Sequence, residues 1–576
     1  MTSHLILWLI VVPSLATILV PSLGIVLPHW RPALFKLAHV ACCALAVVAL
    51  TGSPADVVVA VRRGALDLQF GLILDYPTGI ALILAALLLL IVGWFSQGYV
   101  RGARYATAFL SLLLLEQGAI NVVLLAGDLV TLYAGLLVLS FALMFMIGLD
   151  FVASGGNAAL RVFASLEVPA AFAFVGFWLI DARAGTTSLA DLARRPDWLN
   201  YSSSWALLLP IVVTLVGRAG LAPLQNWVVS GCRAAIAPAS VAIAGVALPV
   251  GALVLARLVG TVVPADSLWT QGLTLLGVLT AVVCGVGALR ENTVPGWLGY
   301  LAAGQVGLAT VGLTVAGSIG RLAGMVDLAT VALAITTVGL AAGLAMQESQ
   351  HNRLTALAAL PRIQRVRWPL AIGLLALATV PPFGTYTERQ LILSSLLDQG
   401  AGWRWVVAGA FVVGTTLLAA AVWKTLFRLV LGQPDEQSAD LDGQAHLTKM
   451  PPNETIGGIV GLASIITLVG ALDPLRGSFV TAAVSPWPTS AATVASSVLL
   501  FLAIVLSIGG TLVAGRIEFS NHHLDRVADL LSWLWRRGRL DRVLDPYVVV
   551  GWLLLTTGQI SAATLNQTIG RLARAR

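Results

Sequence analysis

The chain is a succession of long apolar runs separated by short clusters of polar residues, glycine and proline. A helix needs about 20 consecutive apolar residues to cross the hydrocarbon core of a bilayer. Runs of that kind fall at 5–27, 33–50, 77–96, 105–125, 128–149, 159–181, 205–230, 236–258, 269–289, 297–316, 323–346, 368–398, 404–431, 456–472 and 495–514, with a weaker one at 546–562. The pattern predicts an all-α polytopic membrane protein of about 14–16 transmembrane helices. The runs are continuous rather than alternating, which excludes a membrane barrel.

Two runs carry breaks. One lies near Pro210–Pro223; the other holds Pro381, Pro382 and Gly384 in its middle. Proline and glycine free backbone groups that only neighbouring protein or a wet cavity can satisfy at membrane depth. Such breaks are either packing kinks or the mark of an inverted-repeat transporter, in which broken helices occupy corresponding places in two halves. Two further segments are polar. The loop 433–455 is acidic, with Asp435, Glu436, Asp440 and Asp442. In 522–545, Leu524, Val527, Leu530, Leu531 and Leu534 recur at helical spacing ahead of Arg536, Arg537 and Arg539. That pattern predicts an amphipathic helix at the membrane interface, or an ordinary helix outside it.

Composition agrees with the pattern. Only 11% of the 576 residues are charged and 58% are hydrophobic, where a soluble domain is about a quarter charged. This excludes a soluble enzyme, a nucleic-acid binder and a disordered chain. The net charge of +7 comes from single basic residues in short loops, without the stripe that nucleic acid requires. With the N-terminus outside, the inner loops hold roughly 20 Lys and Arg and the outer loops roughly 9, the bias that orients membrane proteins. The inner loop 347–367 is dense, with Arg353, Arg362, Arg365 and Arg367. Cys42, Cys43, Cys232 and Cys284 lack metal-ligand spacing, so neither disulfide nor metal is expected. The N-terminal run has no basic leader and reads as a retained span. No nucleotide loop or nucleophile constellation is present, so the chain is not expected to catalyse alone or to hold a cofactor.

Charge at membrane depth costs on the order of 2.5–3.5 kcal/mol on insertion scales, so each buried ionisable group is informative. Arg218 can set a field or clamp an anion, but it stays protonated. Glu388 follows the second break and is the best proton carrier in the chain, unless Arg389 beside it is a plain ion-pair partner. Glu167 and Glu116 are the candidates to neutralise Arg218, one of them within salt-bridge reach. Gln305 is a candidate to order water in a channel. Asp128 reads as a helix cap, and Lys424 as snorkelling to a span end.

These motifs resemble a known family. Gly217–Trp227, GRAGLAPLQNW, resembles the G-K-A-G-L-x-P-L-x-x-W signature of the antiporter-like subunits of respiratory complex I, which also include membrane-bound hydrogenase and formate hydrogenlyase subunits and Mrp-type antiporters. Tyr300–Gly307, YLAAGQVG, is similar to the family's Y-S-x-x-S-Q-x-G, and PPFGTYTERQLIL to its P-P-x-x-G-F-x-S-K/E-x-x-I-L. AGDLVTLYAGLLVLSFALMFMIG resembles an earlier helix that begins at an Asp. LTKMPPNETIGGIV resembles the segment before the fourteenth helix, and RLDRVLDPYVVV the C-terminal part of the largest member. The likeness covers about residues 70–560.

The resemblance implies N-terminal helices over 1–104, two inverted five-helix repeats over 105–258 and 269–431, each with a broken helix, and a C-terminal region over 432–576. It implies proton translocation, coupled to a partner's redox chemistry or to a second ion, by a subunit of a larger assembly in a bacterial inner membrane. The likeness extends to the proton-driven membrane subunit of inorganic-carbon accumulation, a non-redox alternative. The departures fall on the proton relay. Leu137 stands where the family has a buried Glu, Ala170 where it has Asp, with Glu167 one turn earlier, and Arg218 where it has Lys. The eighth helix's Lys falls at Pro249, and Val241–Ala256 holds no ionisable residue. The span after Asp327 lacks the family's His and Lys. Glu388 alone keeps a titratable group. The departures fit an altered pathway through Glu388 and a Glu167–Arg218 pair, or a scaffold that conducts nothing.

Overall fold

The computed structural model describes residues 2–516 apart from 27, 52–54, 64–65, 150–152, 195–203, 264–266, 316, 350–351, 355–366, 382, 399–401, 428–457 and 467–490. The polar loop 433–455, the interfacial segment 522–545 and the weak span 546–562 lie outside the described residues. The chain divides into a unit Met1–Leu512 and a C-terminal unit Val513–Arg576; of the latter only the end of one helix is described.

The first unit is built of helices. In chain order they are α1 (Thr2–Val26), α2 (Arg31–Thr51), α3 (Tyr76–Tyr99), α4 (Ala106–Leu125), α5 (Leu129–Gly148), α6 (Ala153–Ala184), α7 (Leu189–Arg194), α8 (Ser204–Arg218) and α9 (Asn226–Ala234). They continue with α10 (Ala237–Ala242), α11 (Leu248–Val262), α12 (Leu268–Arg290), α13 (Val294–Thr314), α14 (Ser318–Ser349), α15 (Arg367–Leu377), α16 (Gly384–Asp398), α17 (Gly402–Leu426) and α18 (Ala491–Arg516). Residues 458–466 are also helical. Among the described residues, 11 helices are long and apolar enough to cross a membrane. Large apolar side chains on α6 and α18, such as Phe172, Trp178, Val494 and Phe501, are exposed. A surface of that kind faces lipid, because its apolar area would be unstable in water.

The pattern of apolar runs did not predict one element. An antiparallel hairpin joins α2 to α3, β1 (Ala55–Arg63) with β2 (Leu66–Leu74), with Ala55 opposite Leu74 and Arg63 opposite Leu66. Its alternating stretches are too short to span a membrane as a helix, and strand pairing satisfies the backbone. The hairpin docks where Gly127 N–H donates to the Gly71 carbonyl at 2.7 Å. Asp128 caps α5, accepting from Val130 and Thr131 N–H at 2.8 Å each, and also accepts from Gly71 N–H. The cap expected from sequence is therefore also the hairpin's anchor.

The core sits around α12, α13 and α14. Every residue of α13 except Tyr300 is buried. Small residues allow this: a Cβ on Gly277 would lie 2.7 Å from the Gly307 carbonyl oxygen, and one on Gly307 equally close to that of Gly277. Close backbone approach at small residues is how membrane helices gain packing energy without a hydrophobic drive. Between α10 and α11 the helix relaxes into a π turn, Ile243–Ala247. Pro249 explains it, because it has no N–H to offer the carbonyl four residues earlier.

Candidate functional site

The first break lies at 219–225, between α8 and α9. Pro210 sits inside α8 without breaking it. The turn instead depends on Gly220, at φ +61°, a left-handed conformation that a side chain disfavours. Freed backbone groups find partners nearby. Trp227 Nε1 donates to the Gly217 carbonyl at 2.6 Å, and Ala222 N–H donates to Thr280 Oγ1 of α12 at 2.7 Å.

Arg218 closes α8. Its guanidinium donates to Ser140 Oγ on α5 and pairs with the Glu167 carboxylate on α6. The arginine is 4% exposed and the glutamate side chain 12%. Of the two carboxylates proposed from sequence, Glu167 makes the contact. Glu116 is fully buried on α4, and its carboxyl has no hydrogen-bond partner among the described residues. Beside it, Gln117 donates to Asn121, and Asn121 donates to the Leu9 carbonyl at 2.6 Å. On α5 the residue facing Arg218 is Ser140, one turn beyond Leu137.

Backbone contact holds the end of α8 in place. A Cβ on Gly251 of α11 would lie 2.4 Å from the Arg218 carbonyl oxygen and 2.7 Å from its carbon. Both obstacles are main chain and cannot rotate away. Gly251→Ala is expected to destabilise the protein by about 1–3 kcal/mol, the usual cost of overpacking; thermal unfolding in detergent measures it. Beyond the break, Arg233 at the end of α9 pairs with Glu291, just past α12. Burial works to raise the Glu291 pKa, but hydrogen bonds from Thr293 and Arg233 outweigh it and hold the carboxyl below its ordinary range.

The second break lies between α15 and α16 and repeats the same plan. Thr379 stands at φ +60°, a strained conformation for a β-branched residue. Gln305 of α13 donates to the freed Leu377 carbonyl at 3.0 Å and accepts from Arg389. Protein groups thus engage both ends of the Gln305 amide. Arg389 also donates to Thr379 Oγ1, and its Nε lies 3.4 Å from Asp327 Oδ1 on α14. Both members of this ion pair are fully buried. The option of a pair between neighbours Arg389 and Glu388 gives way to this one, since Arg389 turns toward α13 and α14. Glu388 is 4% exposed on the same helix.

The sequence reading missed the Asp327–Arg389 pair. A signal existed: Asp327 is the one acid in the apolar stretch 318–347. Lys424 donates from α17 to the Leu289 carbonyl of α12 at 2.6 Å.

The two runs of helices thus share an arrangement. In each, a buried arginine from the broken fourth helix meets a carboxylate on the third and a polar side chain on the second. Loops match as well. In the first run, Leu189 N–H donates to Gly127 and Leu129 N–H to Thr187, at 2.9 and 3.1 Å. In the second, Val294 N–H donates to Asn352 and Leu354 N–H to Asn292, at 2.8 and 2.9 Å.

A multi-pass helical membrane protein with two broken helices, each pinned by a buried ion pair, is the class this architecture defines. Residues 126–418, half of the chain, match the membrane family described as NADH:quinone oxidoreductase/Mrp antiporter, and the chain belongs to that family. It is 26% identical over 345 residues to NADH-quinone oxidoreductase subunit N 1 of Streptomyces griseus, covering 57% of this chain and 69% of that protein. To formate hydrogenlyase subunit 3 of Escherichia coli it is 26% identical over 285 residues, 46% of each. The fold is shared with a chain of the Mrp complex from a Dietzia species, at TM-score 0.70 and 18% identity over 88% of this chain and 98% of that one. A chain of the archaeal membrane-bound sulfane sulfur reductase gives TM-score 0.72 and 18% identity over 87% and 99%.

Proposed function

We propose that this antiporter-like chain moves protons as one subunit of a multi-subunit membrane complex, with Glu388 and Glu167 as the carriers. Arg218 fixes the field at Glu167, and Gln305 holds the second break. Glu116 is a further buried carboxyl that lies outside both pairs. The observation that carries this reading is a buried carboxyl at each broken helix: Glu167, paired with Arg218, at the first, and Glu388, 4% exposed beside the Asp327–Arg389 pair, at the second. Arginine does not release its proton, so the carboxyl side of each site is the side able to titrate. The redox centres or the second ion belong to the partners.

The matched loops and ion pairs support two repeats over 105–258 and 269–431, between N-terminal helices over 1–104 and a C-terminal region over 432–576. With one crossing per helix, the second run begins on the face opposite the first, which supports an inverted pair. The loop bias in Lys and Arg supports an N-terminus outside a bacterial inner membrane.

One observation favours a scaffold instead. The helix Ala237–Gly260, between the two sites in the chain, is buried over most of its length and holds no ionisable residue from Val241 to Ala256, which leaves a dry gap in any proton route. Glu388→Gln separates the two readings. In the assembled complex, reconstituted in vesicles with a pH-sensitive dye inside, proton uptake is expected to be lost while the partner's own activity persists. Unchanged uptake refutes the Glu388 route and leaves the scaffold.

A further inference from the structure

A cavity of about 400 Å³ lies between α3, the π-turn helix and α14. Ile80, Leu84 and Leu88 form one wall, Val250 and Leu253 a second, and Ala329 belongs to the third. Every lining side chain is aliphatic, methionine, proline or glycine. Lined in this way, it offers water no hydrogen bond. Its mouth opens sideways, where Ile80 is 59% exposed, so the medium it meets is hydrocarbon.

Dimensions narrow the occupant. The lining runs along α3 from Pro77 to Leu88, about 16 Å at 1.5 Å per residue. That is about half of the ~30 Å hydrocarbon core, the depth of one leaflet. Volume over length gives a mean cross-section of about 25 Å², room for one hydrocarbon chain. One end of the cavity carries a cation. Leu322 lines it, and the neighbouring Arg321 is exposed. Arg321 reaches across α11, its Nη1 3.9 Å from where a Cβ on Gly260 would stand.

We propose that this cavity binds one acyl chain of a membrane phospholipid, with Arg321 holding the phosphate at the rim. The site is separate from both ion pairs and is independent of the proposed proton route. Its walls come from three helices of different parts of the chain, so the bound chain fills a gap that side chains leave open.

The test uses the full chain with its co-purifying partners, exchanged into nanodiscs of phosphatidylglycerol and phosphatidylcholine, then released for native mass spectrometry. Wild type is expected to retain one phospholipid per copy, with phosphatidylglycerol preferred. Ala329→Trp, which fills the cavity, is expected to lose it while the thermal unfolding transition stays cooperative. Arg321→Gln is expected to keep a lipid but lose the preference. If Ala329→Trp does not fold, Leu253→Phe on the half-buried wall carries the same expectation. Equal retention in wild type and the filled variant overturns the proposal. So does a filled variant that keeps its lipid but sheds a membrane partner, because the cavity then seats protein.

Discussion

Asp327→Ala is expected to destabilise the protein by about 3–5 kcal/mol, because it leaves the Arg389 guanidinium buried without its counter-charge. Arg389 is fully enclosed and cannot reach water without opening the bundle. Its hydrogen bonds to Gln305 and Thr379 persist, but both partners are neutral. A loss of this size is a large part of the 5–15 kcal/mol that holds an ordinary domain, so yield should fall with unfolding temperature. The double variant Asp327→Ala, Arg389→Met removes both charges and is expected to recover most of the loss, since apolar replacement of a whole buried pair is often neutral. Thermal unfolding of both variants in detergent decides the matter. A single variant that costs under about 1 kcal/mol contradicts the pair as the element holding α14 to α16, since that is the range of exposed pairs.

Glu167→Gln is expected to leave the fold assembled and to cut proton flux at least tenfold, about 1.4 kcal/mol in the barrier. Glutamine still offers Arg218 an oxygen, so the bond between α6 and α8 survives in neutral form. What it removes is the negative charge and the site where a proton can rest. Flux is read as dye-reported acidification of vesicles that hold the assembled complex, with the partner's turnover measured alongside. Full flux in Glu167→Gln, with normal assembly, means that the first broken helix serves packing alone.

Much of the fold was legible because the bilayer imposes a crude rule on sequence. Twenty apolar residues in a row have few uses besides a span, and the described helices follow those runs closely. The breaks were legible from their prolines and glycines, and within the first expected stretch, Pro210–Pro223, the chain pivots at Gly220 while Pro210 stays inside α8. Proline in a helix leaves a fault that packing can absorb, whereas a left-handed residue redirects the chain. The hairpin was hidden because its two strands pair with each other and interrupt their apolar residues with charged ones, so neither makes a continuous apolar run. At the site, charge scarcity pointed to Arg218 and to Glu167 or Glu116. Choosing between the two needed the packing of α5, α6 and α8. Asp327 and Arg389 are far apart in sequence, and nothing local says that they meet. Arg389 also had a nearer acid, Glu388, in the next position, which drew the reading away from the true partner.

The loop clasps have a mechanical consequence. In each run, the turn after the first helix is stitched by backbone hydrogen bonds to the turn after the third. Three helices are thereby tied into a frame that resists shear. The fourth, being broken, is the compliant member, fastened at its middle by an arginine and a carboxylate. Each run then resembles a stiff bracket carrying one latch. Force arriving from a neighbouring subunit would be absorbed at the latch rather than spread through the frame.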